Sequence, residues 1–276
     1  MLRALFVILA SAAAAHGVEL KTYRDVPYAA TDNMRQTLDV HTISGAKDRP
    51  VVVYIHGGGW RRGDKGGVQL KPGWLIEQGY ILVSINYRFV PDVTVREMTQ
   101  DVARAIRWTR EHAAEYGGAG EKIVVMGHSA GAHLAALVCT DESYLKAEGL
   151  TLAAVRGCVP VDVSVYDIPK RFTEAGSTPT STYAAVFGDT EESQRAVSPA
   201  HFVARDKHIP PFLILHVADR PETKSQSHAF AEKLRAAGTT AEVVAGEGKT
   251  HGTINSDLGK PDDEPTKAVA AFLKRL

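Results

Sequence analysis

Two cysteines in 276 residues are too few for a disulfide-stapled scaffold or a four-thiolate metal site. Cys139 and Cys158 each lie in an apolar run, LAALVCT and AAVRGCVPV, so both are expected as buried thiols acting as small hydrophobes. A disulfide between them stays open in an oxidising compartment. Net charge is also missing: 32 Lys plus Arg balance 32 Asp plus Glu. That balance removes the electrostatic case for a nucleic-acid partner or an anionic membrane surface and leaves a small-molecule substrate as the expected partner. Metal-binding spacings such as H-E-x-x-H and C-x-x-C are absent, as are a G-x-G-x-x-G fingerprint and a P-loop in the right context. No metal or nucleotide cofactor is expected.

Long apolar runs are lacking too, and none approaches the ~20 residues of a membrane span. The one greasy stretch, Ala4–Ala10, follows Arg3 and precedes small Ala13 and Ala15. That is the layout of a secretory signal peptide. Residues 1–15 are therefore expected as the signal, 16–276 as the mature domain, and the location as secreted or periplasmic.

What is present is a series of buried-strand patterns alternating with helical ones. VVVYIH (Val51–His56), YILVSINY (Tyr80–Tyr87) and KIVVMG (Lys122–Gly127) are continuous apolar runs, as in strands covered on both faces. Further strands are expected in pairs between Lys21 and Thr42, and at Ala153–Val161, Phe212–Val217 and Glu242–Ala245. Between Asp92 and Tyr116, Val95, Met98, Val102, Ile106, Thr109 and Ala113 recur at helical spacing. Helices are also expected after Ser129, at Ser225–Ala237 and at Pro265–Leu276. The alternation implies an α/β fold with a mostly parallel sheet of the eight-stranded type and helices on both faces. Residues 162–210 are too long for a plain connection and are expected to form a small lid or substrate-facing insertion with one or two short helices.

Two glycine motifs fall at strand ends. Gly127-His128-Ser129-Ala130-Gly131 is a G-x-S-x-G run between a buried strand and a helix. There the glycines allow a sharp turn that lifts the serine hydroxyl above the sheet. His56-Gly57-Gly58-Gly59-Trp60 ends the first long strand, and three glycines in a row leave backbone N–H groups unshielded for a developing oxyanion. HGGGW followed by GHSAG resembles the α/β-hydrolase superfamily. The likeness is strongest to its hormone-sensitive-lipase-like branch and to small bacterial carboxylesterases and feruloyl-esterase-like proteins. It runs from about Tyr23 to the C-terminus and includes NYR (Asn86–Arg88) and SPAHFV (Ser198–Val203).

The resemblance implies Ser129 as nucleophile and Gly58, Gly59 and Ala130 as oxyanion donors. Chain order in such enzymes is serine, acid, histidine. His251, in the glycine-rich loop after Glu242–Ala245, is the histidine in the right place. Asp219, after the Phe212–Val217 strand, is the acid expected; Asp162, after the preceding strand, is its rival and Glu222 a third choice. His133, one turn beyond Ser129, is expected as a structural hydrogen bonder. Trp60, Tyr87 and Tyr166 are candidate walls of the substrate pocket, and Arg61, Arg62 and Asp64 candidate supports of the glycine loop. The reading that follows is hydrolysis of small acyl or aryl esters through an acyl-enzyme. An arylformamidase-like amide hydrolase and a non-catalytic binding module on the same fold are the alternatives; the acyl and alcohol groups and the oligomeric state are left open.

Overall fold

Strands that are apolar on every residue must be covered on both faces, and the computed structural model shows how. It describes residues 19–174 and 181–276, so the expected signal peptide lies outside the described residues. In β3 (Arg49–Ile55), Val51, Val53 and Ile55 enter one core while Val52 and Tyr54 enter the other. In β5 (Gly118–His128), Ile123 and Val125 divide from Val124 and Met126 in the same way. This is the period-two alternation of a sheet sandwiched between helices.

Eight strands form one sheet in the order β1-β2-β4-β3-β5-β6-β7-β8. β1 (Leu20–Pro27) and β2 (Thr37–Ile43) are antiparallel, and β2 also runs antiparallel to β4 (Ile81–Ile85). β3, β4, β5, β6 (Val155–Val161), β7 (Phe212–Val217) and β8 (Ala241–Gly246) are parallel. Their carboxyl ends share one edge, where ligand sites in such sheets gather.

The helices divide between the faces according to their apolar stripes. α1 (Lys71–Glu77) and α10 (Glu264–Leu273) cover the Val52/Tyr54 face through Trp74, Leu75, Val269 and Phe272. α2 (Val95–His112), α3 (Ala130–Val138) and α8 (Pro221–Ala236) cover the other. The six positions expected to form one buried helical stripe, Val95 through Ala113, are all buried, the last of them in the 3-10 turn that follows α2. Thr94 and Glu97 close a reciprocal capping box at its start. A short α4 (Glu142–Ala147) follows α3, opened by Asp141.

The insertion at 162–210 is richer than the one or two helices expected. It contains α5 (Ile168–Glu174), α6 (Ser181–Phe187) and α7 (Glu191–Arg195), then a single 3-10 turn at Pro199–Phe202. Cys139 and Cys158 are buried and unlinked, and burial raises the Cys158 thiol pKa. Among the described residues no helix is long and apolar enough to cross a membrane.

Candidate active site

Ser129 sits at the junction of β5 and α3 with φ +54° and ψ −120°, a strained conformation for a residue with a side chain. The flanking glycines make it possible. A Cβ on Gly127 would lie 2.2 Å from the Gly131 carbonyl oxygen, and one on Gly131 would lie 2.1 Å from that of Ile55. Backbones therefore touch on both sides of the turn, and the hydroxyl stands at the N-terminus of α3 without capping it.

His251 arrives from the loop after β8. Its Nε2 is 2.9 Å from Ser129 Oγ, and its Nδ1 is 2.6 Å from Asp162 Oδ2. The carboxylate facing the imidazole is thus Asp162 at the end of β6, and not Asp219. Asp219 is exposed in the turn after β7, while its neighbour Arg220 turns inward. Asp162 adopts φ +50°, a left-handed conformation that Asp tolerates better than most residues, and this swings the side chain off the strand toward His251. Its Oδ1 accepts the Val217 amide at 2.9 Å. The Arg220 guanidinium donates to its Oδ2, with Nη1 also 2.8 Å from His251 Nδ1, so two N–H donors converge on one oxygen. Burial alone would raise the Asp162 pKa. The hydrogen bonds from His251 and Val217 and the charge of Arg220 outweigh it and hold the carboxyl at about 2. Glu222 accepts from Arg220 Nη2 at 3.2 Å and does not reach His251.

The loop bearing His251 is pinned from below. His128 Nε2 lies 2.8 Å from the His251 carbonyl oxygen, and the two rings sit 4.6 Å apart. Burial holds the His128 pKa near 4, so it is a neutral ring donating its Nε2–H. One turn on, in α9 (Thr253–Ser256), Asn255 receives a hydrogen bond from the Tyr54 hydroxyl at 2.9 Å on its side chain. Its carbonyl receives one from Lys71 Nζ, also at 2.9 Å. Lys71 is buried, which brings its pKa down to about 7. Neither His128 nor Lys71 stood out in the sequence as a support, because both act across the sheet edge on a loop more than a hundred residues away.

The glycine loop is locked by contact. Gly58 has φ +133°, and a Cβ there would lie 1.9 Å from the Arg62 carbonyl oxygen. The Arg61 and Arg62 amides both donate to the Gly58 carbonyl, at 3.3 and 3.2 Å. The N–H groups of Gly58, Gly59 and Ala130 make no hydrogen bond among the described residues; the two glycines line the same cleft as Ser129, and Ala130 follows it in the chain. Asp64 caps the loop through the Gly66 amide at 2.8 Å and Asn86 Nδ2 at 3.2 Å. Among the described residues the side chains of Arg61 and Arg62 hold nothing there, against expectation.

A cleft of about 630 Å³ opens over Ser129 and His251, walled by the glycine loop, Arg61, Arg62, Asp64, His128 and Asn255. The three expected pocket walls lie elsewhere. Tyr87 is buried beneath the loop, its hydroxyl donating to the His56 carbonyl at 3.0 Å. Tyr166 is buried and stacks on Phe230 with ring centroids 4.5 Å apart. Trp60 wedges against Phe187 of the insertion, and its indole N–H donates to His133 Nδ1 at 3.3 Å. All three are apolar bodies drawn into the core with their polar tips satisfied locally or left inside, which sequence position alone does not reveal. His133, its pKa lowered to about 4 by burial, also binds the Val197 carbonyl at 2.7 Å, the structural role expected of it. In NYR, Arg88 pairs with buried Asp101 at 2.8 Å and Asn86 accepts the Lys65 amide, so the motif supports the loop. Among the described residues, none of the 162–210 insertion lines the cleft; residues 175–180 lie outside them. Among the described residues, no cluster of three or more His, Cys, Asp or Glu could hold a metal ion. A second hollow of about 640 Å³ beside Trp108 is lined by Arg104, Arg107, Glu111 and Glu148, charges already paired with one another.

A serine on such a bend, over the carboxyl ends of parallel strands, is the arrangement of α/β-hydrolases. Comparison with known proteins likewise puts this chain among the α/β-hydrolases. More narrowly, it belongs to the BD-FAE family, whose model matches residues 38–234. It is 32% identical to Esterase LipQ of Mycobacterium tuberculosis, over 90% of this chain and 61% of that one. It is 31% identical to a probable isoprenylcysteine alpha-carbonyl methylesterase, ICMEL1, of Arabidopsis thaliana, over 80% of this chain and 49% of that one. The chain thus spans about half to three fifths of the length of these curated relatives. Among solved structures it is similar to the butyrate-bound esterase Est2 of Thermogutta terrifontis, with 26% identity, a TM-score of 0.68 and 91% of each chain covered.

Proposed function

We propose that this protein hydrolyses esters of small acyl or aryl groups through an acyl-enzyme on Ser129. One observation carries the reading: the unbroken chain from Ser129 Oγ to His251 to Asp162, at 2.9 and 2.6 Å, beside three unspent backbone N–H groups. His251 takes the Ser129 proton as Oγ attacks the acyl carbon. Asp162 holds the imidazole with Nε2 toward the serine and balances the charge it gains. The Gly58, Gly59 and Ala130 amides receive the oxyanion, each such donor being worth on the order of 3 kcal/mol in the barrier. His251 then returns the proton to the leaving alcohol and activates the water that frees the acid.

The similarity to named esterases supports ester over amide chemistry. Purified protein assayed on p-nitrophenyl acetate and on N-formylkynurenine tests this: ester turnover that vanishes in Ser129→Ala is expected. Fast formamide cleavage without ester turnover would transfer the reading to the arylformamidase-like alternative. Failure of Ser129 to take a fluorophosphonate label would favour the binding module. The layout of residues 1–15 supports export with cleavage near Ala15, which N-terminal sequencing of the mature protein tests.

A further inference from the structure

The walls of the cleft say more about the substrate than its floor does. Apart from the ring of Tyr54, no described residue lining it carries a large apolar side chain. What the cleft does present is a surplus of positive charge. Arg61 and Arg62 line it, both are exposed, and neither guanidinium has a hydrogen-bond or ion-pair partner among the described residues. The one carboxylate in the wall outside the triad, Asp64, is already engaged by Arg35 at 3.7 Å and by Asn86. His56 and His128, also in the wall, are kept neutral by burial. Over the whole chain the charges cancel, so this surplus is local rather than a share of a basic surface.

The backbone that carries the two guanidiniums is tied to the chemistry. The Arg61 and Arg62 amides close the turn on the carbonyl of Gly58, whose own N–H is an oxyanion donor, so both side chains spring from beside the reacting carbonyl. Arginine presents a planar fork matched to a carboxylate.

We infer that the ester taken by this site carries a carboxylate, on its acyl or its alcohol side, which Arg61 and Arg62 bind at the mouth of the cleft. The inference rests on the ester-hydrolase reading above and narrows its substrate to anionic esters.

The experiment compares esters matched in size and differing in charge. Mono-p-nitrophenyl adipate is set against p-nitrophenyl methyl adipate for the acyl side, and 4-acetoxybenzoate against 4-acetoxybenzamide for the alcohol side. In at least one pair the charged ester should show kcat/KM about threefold or more above its neutral partner, carried mainly by KM, as exposed ion pairs allow. In Arg61→Gln/Arg62→Gln that ratio should fall to about one. In the wild type it should shrink as salt rises from about 20 mM to about 500 mM, because these charges are open to solvent. A ratio below about threefold in both pairs overturns the inference while ester turnover leaves the parent reading standing; so does a preference that the double variant keeps. Absence of turnover on all four esters would instead bring down the ester-hydrolase reading, and this inference with it.

Discussion

An imidazole has one N–H to direct at a carboxylate when its other nitrogen faces a nucleophile, so a single contact distinguishes the candidate acids. His251 makes that contact with Asp162, whose remaining oxygen is held by the Val217 amide and whose charge is kept by Arg220. Asp162→Asn should leave the fold intact and lower kcat by about 10⁴, because the amide cannot hold the reactive tautomer. Asp219→Asn should stay within about twofold of wild type, as expected for an exposed carboxylate with no partner among the described residues. Initial rates on p-nitrophenyl acetate check both, and a large loss in the Asp219 variant with a small one in the Asp162 variant would reverse the assignment. The meeting of Ser129 and His251 was readable because a glycine-flanked serine and a late glycine-rich histidine loop are local patterns. The acid was not. Asp162 and Asp219 each follow a parallel strand, and β6 and β7 are neighbours whose ends open on the same edge, so only the left-handed turn at Asp162 separates them. Trp60, Tyr87 and Tyr166 failed as pocket walls for a related reason: an aromatic near a site in sequence can point up to substrate or down to core, and all three point down.

At the scale of elements, the strands and long helices were legible because each carries an unbroken period. α1, α4 and α9 were not, being one or two turns long with little apolar periodicity to mark them. Their glycines now make contrasting predictions. Gly73 lies exposed within α1, and a Cβ there meets nothing within 4 Å. Gly73→Ala should therefore raise stability by about 0.4–1 kcal/mol, chiefly by restricting the unfolded chain. Gly127 lies one residue before the end of β5, where a Cβ would lie 2.2 Å from the Gly131 carbonyl oxygen. Gly127→Ala must push α3 off the sheet end or distort the serine turn, so it should cost on the order of 1–3 kcal/mol and most of the activity together. Urea unfolding of the two variants beside wild type reads both, and equal effects in the two would mean that backbone contact at the turn is not what excludes a side chain.

Across the whole molecule, both faces of the sheet are sealed by helices, and polar groups within that seal must be neutral or paired. Four histidines show the consequence. His41, His56, His128 and His133 are buried, and burial lowers each from 6.5 to about 4. Between those values the unfolded chain binds protons at these positions and the folded chain does not, so stability must rise with pH through this window. Their contribution is complete above about pH 6.5 and is lost as pH falls toward about 4. Asp162 does not offset this. Its pKa is lowered from 3.8 to about 2, so the stability it adds is present above 3.8 and lost only as pH falls through the more acid range. Lys71, lowered from 10.5 to about 7, acts in the same direction on the alkaline side, with stability rising from about 7 upward. Urea midpoints measured at about pH 7, 6 and 5 should therefore fall steadily, by a few kcal/mol of unfolding free energy in all. The fall should steepen below about pH 6, where the unfolded chain takes up most of the four protons. A midpoint unchanged across that range would mean that the four rings are protonated inside the fold, and that His128 does not hold the His251 loop as a neutral donor.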